Sequence, residues 1–142
     1  EILLVTTPEP TSITDAYALL KTLNRKSNFS ADNTMIRVIA NRITKDDNGE
    51  EIYKKLSVVS SKFLKLNLDY LGYLPMDYSV SKAVMRQLPV ICVFPDSDFS
   101  RHISGIASKL CNTAPIINSS EKKGIAQLFY HLLKSRTRKG LE

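Results

Sequence analysis

Short apolar runs alternate with longer stretches of helical periodicity along most of this chain. The runs at residues 2–6, 36–40 and 69–74 have the length and composition of buried strands. The first is entirely apolar up to its final threonine, which is typical of a strand covered on both faces. Strands that alternate with helices at this spacing need parallel βαβ crossovers. The sequence therefore predicts an α/β domain with a parallel, doubly wound sheet.

The two helices between these runs are predicted from their caps and apolar stripes. We expect Thr11 or Ser12 to cap the first helix, with Asp15 in its first turn. After a polar loop at 44–49, the second helix carries one long apolar stripe. That stripe consists of Ile52, Leu56, Val59, Phe63 and Leu66.

The segments after the third strand are predicted less uniformly. A short helix is expected at about 79–87, and another begins at Ser97 or Ser100. Between them, the apolar run 89–94 is bracketed by Pro89 and Pro95. Because proline removes a backbone donor, strand and extended loop are equally open for this run.

Composition excludes several classes of protein. The chain has 142 residues, 43% of them hydrophobic and 24% charged, which fits a globular domain. Cys92 and Cys111 have no CxxC or histidine-rich context, so we expect two buried, reduced thiols. His102 and His131 lie near no acidic cluster, and no metal site is expected. No run approaches the ~20 apolar residues of a membrane span, so a cytoplasmic location is the expectation.

The ends of the chain suggest a piece of a longer protein. It opens inside a strand-like run without an initiator methionine, and residues 140–142 resemble a cloning remnant. Only three firm strands are predicted, so the sheet is expected to lack its N-terminal half. We assign residues 1–120 to the C-terminal part of this α/β domain and 121–139 to a separate basic helix.

Three loops are predicted at the carboxyl edge of the sheet, where open parallel sheets bind ligands. They are residues 6–10, Asn41-Arg42 and 75–77. An asparagine amide offers a donor and an acceptor to a purine edge, and Pro75 can pack flat on a base. The alternative is that Asn41 ends a strand and Pro75 makes a turn, as such residues commonly do.

A family resemblance favours the ligand hypothesis. It rests on LVTTPEPTSITDAYALLK at 4–21, VIANR at 38–42, LGYLPMD at 71–77 and VSKAV at 80–84. In this order the segments resemble the C-terminal half of MinD/ParA-like deviant P-loop ATPases. The first and longest segment is most similar to flagellar number and placement regulators of the FlhG/FleN/YlxH type.

The resemblance implies a P-loop NTPase-like sheet that here lacks the strand carrying the phosphate loop. It implies that Asn41 contacts adenine, that Pro75 and Asp77 flank the base, and that Arg42 braces the same loop. It also implies ATP and magnesium in the full-length protein, which forms a homodimer. The chain has five glycines, none clustered, and no G-x-x-x-x-G-K-[ST] motif. We therefore expect no catalytic residue here, no tight nucleotide binding and no ATPase activity from this chain alone.

The C-terminal stretch 121–139 predicts an amphipathic basic helix. Its apolar stripe consists of Ile125, Leu128, Phe129, Leu132 and Leu133. Residues 121–142 hold six Lys/Arg and two Glu, including Lys122 and Lys123 at the start. This composition suits a helix lying on anionic lipid, and the segment resembles the membrane-targeting tail of MinD-like proteins. It equally suits a terminal helix docked on its own sheet with a solvated basic face.

The preferred hypothesis is the C-terminal portion of an ATPase that regulates flagellar number or placement. Its expected partners are ATP or ADP, a second copy, an anionic membrane surface and flagellar assembly proteins. Nucleic acid is not expected, because Phe129 and Tyr130 form no stacking platform with a basic groove. Two rivals stay open: a division-site or DNA-partition ATPase of the same fold, and a non-catalytic α/β interaction module.

Overall fold

Three parallel strands form the sheet at the centre of this computed structural model, which describes residues 1–112. They are β1 (Ile2–Thr6), β2 (Ile36–Ile43) and β3 (Leu68–Pro75), in the order β1-β2-β3. Thr6 of β1 pairs with Ala40 of β2, and Ala40 pairs in turn with Tyr73 of β3. All three carboxyl ends therefore lie along one edge of the sheet.

Helices cover both faces, which confirms the predicted doubly wound α/β class. They are α1 (Pro10–Asn24), α2 (Gly49–Leu64), α3 (Tyr78–Met85), α4 (Val90–Val93) and α5 (Asp98–Leu110). The crossover helices α1 and α2 pack on one face, and α5 packs on the other, chiefly against β3. None of these helices is both long enough and apolar enough to cross a membrane.

The α1–α2 face holds the larger core. Val38 and Leu56 are fully buried there and Leu20 almost so, with Leu4 and Leu68 beside them. Helices at 3.6-residue periodicity and strands at period two place these residues on facing surfaces. At roughly 25 cal/mol per Å² of buried apolar surface, this core is the main stabilising contribution within residues 1–112.

The α5 face is covered over only part of its width. Ile106 of α5 packs with Ile39 and Leu71. Val5 pairs with Ile39 in register and so points to the same face, yet Leu3 and Val5 are 46% and 53% exposed. The prediction that the first strand is covered on both faces is therefore wrong for residues 1–112, because α5 does not reach β1.

The outer strand β3 has side-chain donors on two of its carbonyl oxygens. The Tyr53 hydroxyl donates to Leu68 O at 2.8 Å, and Lys109 Nζ donates to Leu71 O at 2.8 Å. The pairing register between β2 and β3 shifts at Leu71, because Val38 pairs with Tyr70 whereas Ile39 pairs with Gly72. Gly72 adopts a backbone φ of 149°. An L side chain rarely adopts that angle, so glycine suits this irregularity.

The helix starts correct one prediction and confirm another. α1 begins at Pro10 with Glu9 as its N-cap and without a side-chain cap, so Thr11 and Ser12 are not caps. Proline is favoured in the first turn of a helix, so α1 begins at Pro10, earlier in the chain than expected. Asp15 therefore lies beyond the first turn. At α5 the expected cap is present, since Ser97 Oγ accepts from Ser100 N at 3.2 Å.

Two packing predictions are wrong. Phe63 is 65% exposed, and Ser60 lies fully buried in its place on α2. The buried stripe of α2 runs through residues four apart, so Phe63 falls at its margin. Cys92 and Cys111 are both exposed rather than buried.

The run after Pro89 is a short helix, α4, rather than a strand or an extended loop. Phe94 N donates to Val90 O at 2.8 Å, which closes one helical turn. Residues 113–142 lie outside the described part of the chain. The predicted tail helix, its lipid-facing stripe and the boundary at residue 120 therefore stay predictions.

Candidate functional site at the carboxyl edge of the sheet

The turns singled out in the sequence meet at one edge of the sheet. Asn41 and Arg42 lie near the end of β2, and Pro75 ends β3. Met76 N donates to Ile43 O at 2.8 Å, so the two strand ends are held together by a backbone hydrogen bond. The predicted convergence of the Asn41 turn and the 75–77 turn is thus present.

A cavity of about 720 Å³ opens between these turns. Asn41, Arg42, Pro75 and Asp77, the four residues predicted to contact a nucleotide, all line it. Phe99 from α5 contributes an aromatic wall, and Lys45 adds a cation at the rim. Its size lies within the range of roughly 300–1,000 Å³ that small-molecule sites occupy.

Asn41 and Arg42 form a β-bulge. Ala40 pairs with Tyr73 and Ile43 with Pro75, so two residues of β2 oppose the single Leu74. Arg42 adopts φ 58°, a left-handed conformation uncommon for a residue other than glycine. Strained backbone of this kind often occurs at ligand sites, where the surrounding structure holds it.

The bulge orients the Asn41 side chain. Its Oδ1 accepts a hydrogen bond from Arg42 N at 2.9 Å. Among residues 1–112 its Nδ2 group has no hydrogen-bond partner, so it is free to donate into the cavity. The side chain is half-buried. A fixed amide donor at a strand end can recognise the acceptor edge of a flat heterocycle.

Arg42 connects this cavity with the loop after β1. Its Nη1 lies 3.7 Å from Glu9 Oε1, and both side chains are about half exposed. An exposed pair of this kind contributes little to stability. Arg42 also lines a neighbouring cavity of about 520 Å³ beside Thr7 and Ser12. Its side chain therefore stands between the β1 loop and the Asn41 cavity.

Asp77 has a structural role that the sequence analysis missed. Its Oδ1 accepts from Ser79 N at 2.8 Å, as N-cap of α3, and its Oδ2 accepts from Phe99 N at 3.2 Å. These hydrogen bonds, the Ser79 amide foremost, hold the pKa of Asp77 below its usual value. Asp77 thereby joins the starts of α3 and α5 across the cavity rim. The available signal was an aspartate two residues before a serine at a helix start.

A third cavity of about 630 Å³ lies on the other side of Pro75 and Met76. Tyr70, Tyr73 and His102 line it, and the rings of Tyr73 and His102 are 4.6 Å apart. Burial, with the charge of Glu50 second, raises the pKa of Tyr70. The planes of the Tyr73 and His102 rings are tilted by 51°, a contact that fits a packing role for Tyr73.

The Asn41 cavity combines an amide, a guanidinium and a carboxylate with apolar walls. Residues 1–112 include no cluster of three His, Cys, Asp or Glu side chains that could hold a metal. The arrangement within residues 1–112 is a concave rim of polar and apolar groups at the carboxyl edge of the sheet.

Comparison with known proteins gives two relatives, and no protein-family model matches the chain. Antiactivator FleN of Pseudomonas aeruginosa is 44% identical over 110 residues, which cover 78% of this chain and 38% of FleN. Flagellum site-determining protein YlxH of Helicobacter pylori is 32% identical over 138 residues, which cover 94% of this chain and 44% of YlxH. The chain thus spans about two fifths of the length of these relatives. FleN and YlxH are therefore homologues of this chain over most of its length.

Proposed function

We propose that this chain is the base-binding portion of an ATPase that regulates flagellar number or placement. The observation that carries the proposal is the convergence of Asn41, Arg42, Pro75 and Asp77 on one cavity at the carboxyl edge of a parallel sheet. The relatives support the flagellar part, since one is named an antiactivator and the other a flagellum site-determining protein. A division or DNA-partition role has no such support.

Asn41 and Pro75 divide the recognition of adenine between them in this proposal. The Asn41 amide meets the hydrogen-bonding edge of the base, as asparagine does when it contacts adenine in other settings. Pro75, half-buried at the end of β3, packs against the ring plane. Asp77 acts indirectly, because its carboxylate already binds two backbone amides and holds the rim in place.

The remaining parts of the ATP site come from outside this chain. ATP brings magnesium and needs a phosphate loop, for which the chain has no glycine-rich segment. The uncovered side of β1 supports an attachment point, because Leu3 and Val5 expose a strip of apolar surface there. A neighbouring strand and helix would bury this strip and bring phosphate-binding groups beside the loop after Thr6.

Membrane association and dimerisation complete the proposal. The predicted basic helix at 121–139 would lie with its apolar stripe on the anionic inner face of the cell membrane. The full-length protein would form a homodimer around ATP. The opposite charge of lipid and helix supports this part.

The base contact is tested in the longer protein by substituting Asn41→Ala. We expect ATP affinity, measured by titration calorimetry, to fall about tenfold or more when a buried donor to the base is lost. Asn33→Ala is the matched control, since Asn33 is exposed and does not line the cavity. Equal affinity in Asn41→Ala and the parent protein would remove Asn41 from the site.

A further inference from the structure

Helices α3 and α4 form an apolar protrusion beyond the sheet. The two helices pack mainly on each other, and only Ala83 of either helix is buried. Val84 is 68% exposed, Met85 84% and Leu88 54%. We refer to residues 78–94 as the α3–α4 protrusion. Large apolar side chains at this exposure are costly in water unless something covers them.

The tip of the protrusion is a fixed turn. Gln87 N donates to Val84 O at 2.9 Å, and Leu88 N donates to Ala83 O at 3.2 Å. This pair of hydrogen bonds is the Schellman pattern that ends many helices. Gln87 takes φ 54°, a conformation for which glycine is usual. The turn is therefore held in place, with Met85 and Leu88 on either side of it.

The charge on the protrusion has one sign. Lys82 and Arg86 are the charged residues of 78–94, and the segment contains no Asp or Glu. Lys82 Nζ lies 5.0 Å from the centre of the Tyr78 ring, and Arg86 Cζ lies 5.4 Å from that of Phe94. Cations, aromatic rings and exposed aliphatic groups therefore occur together in the α3–α4 protrusion.

We propose that the α3–α4 protrusion inserts into the interface of an anionic membrane, as a second lipid contact beside the basic tail. Apolar side chains at the tip enter the acyl boundary, while the lysine and arginine stay among the headgroups. Aromatic rings beside cations are typical of this layer. A tip whose only charged side chains are Lys82 and Arg86 is attracted to anionic lipid.

This inference rests on the proposed membrane association of the chain. A single weak anchor gives only marginal membrane binding, so stable attachment takes two signals. The tail supplies one signal, and the protrusion would supply the other. Because Tyr78 and Val80 of α3 also line the Asn41 cavity, the same helix would contact both lipid and nucleotide.

The test is sedimentation of the full 142-residue chain with vesicles of phosphatidylcholine, with and without phosphatidylglycerol. We expect Met85→Ser with Leu88→Ser to lower the partition coefficient on anionic vesicles about tenfold, since two inserted side chains are lost. The matched control is Val58→Ser with Phe63→Ser, which removes two apolar residues of α2 that are each 65% exposed. Circular dichroism checks that each variant is folded.

A tail variant separates the two lipid contacts. This variant carries Leu128→Ser and Phe129→Ser, and it is measured alone and in combination with Met85→Ser and Leu88→Ser. A further loss of binding when Met85 and Leu88 are changed in the tail variant supports the proposal. If the tail variant alone loses binding and the protrusion variant binds like the parent chain, the protrusion proposal is overturned and the tail proposal stands. Lys82→Glu with Arg86→Glu must also weaken binding to anionic vesicles, and unchanged binding would equally overturn it.

Discussion

The two faces of the sheet differ in how far residues 1–112 complete them. On the α1–α2 face, Val38 and Leu56 are fully buried by helices that the βαβ crossovers supply. On the opposite face, α5 covers Ile39 and Leu71 but leaves Leu3 and Val5 in the open. Local connections complete one face within residues 1–112, whereas the other face is left partly uncovered there. The candidate site lies at the edge where the two faces meet.

The largest expected effect is on the finished face. Leu56→Ala should lower the free energy of unfolding by about 2–5 kcal/mol, because it leaves a cavity in a packed core. Chemical denaturation with urea measures the change. Val58→Ala on the exposed side of the same helix should cost less than about 0.5 kcal/mol. Similar losses for the two variants would mean that the α1–α2 core is not what holds the chain together.

Alanine substitution at two glycines, one at the start of α2 and one in α5, compares how tightly the two faces are packed. A methyl group at Gly49 would lie 2.8 Å from Tyr70 Oη and 2.9 Å from Tyr73 Cβ, so Gly49→Ala should destabilise by about 1–3 kcal/mol. At Gly105 in α5 nothing lies within 4 Å, so Gly105→Ala should stabilise by about 0.5–1 kcal/mol. Thermal unfolding of both variants gives the sign. A destabilised Gly105→Ala would show that α5 is more tightly packed than the structure has it.

Substitution of Asp77 tests how the starts of α3 and α5 are held together. Asp77→Ala should cost about 0.5–2 kcal/mol through loss of the α3 cap. Because the folded pKa of Asp77 is lowered, its contribution is fully present above the unfolded pKa of about 3.9 and is lost as pH falls through the folded value. The difference in melting temperature between parent and variant should therefore shrink below about pH 4. A difference that persists unchanged at lower pH would assign the effect to something other than the carboxylate.

The smallest effect is expected at the uncovered strip. Val5→Ser should change the stability of this chain by less than about 0.5 kcal/mol, because the side chain is already half exposed. In the longer protein the same change should cost about 1–3 kcal/mol if β1 is covered there. Denaturation of both proteins gives the comparison. Equal small effects in both would leave the strip as ordinary surface.

The sequence was sufficient for features that depend on local patterns. The three strands, their parallel order and the meeting of Asn41 with Pro75 follow from apolar runs, crossover helices and the rule that ligands bind at carboxyl edges. The cap at Ser97 was also predictable, since a serine before a polar helix start is a strong signal.

The features that were missed depend on tertiary contacts. Phe63 has helical spacing suited to the core, but the bulk of the sheet lies under Leu56 and Ser60 instead. The second hydrogen bond of Asp77 reaches Phe99, twenty-two residues away, which no local pattern encodes. The bulge at Arg42 depends on register with β3, so sequence periodicity could not reveal it.

The hydrogen bonds from Tyr53 and Lys109 to β3 leave β1 as the edge of this sheet that a further strand can join more easily. A strand joining at β3 would have to displace both donors, whereas no side chain of residues 1–112 donates to a carbonyl of β1. Free strand edges are templates for pairing with other chains. When the chain is produced by itself, association should therefore proceed through β1, and a lysine in place of Leu3 should improve its solubility.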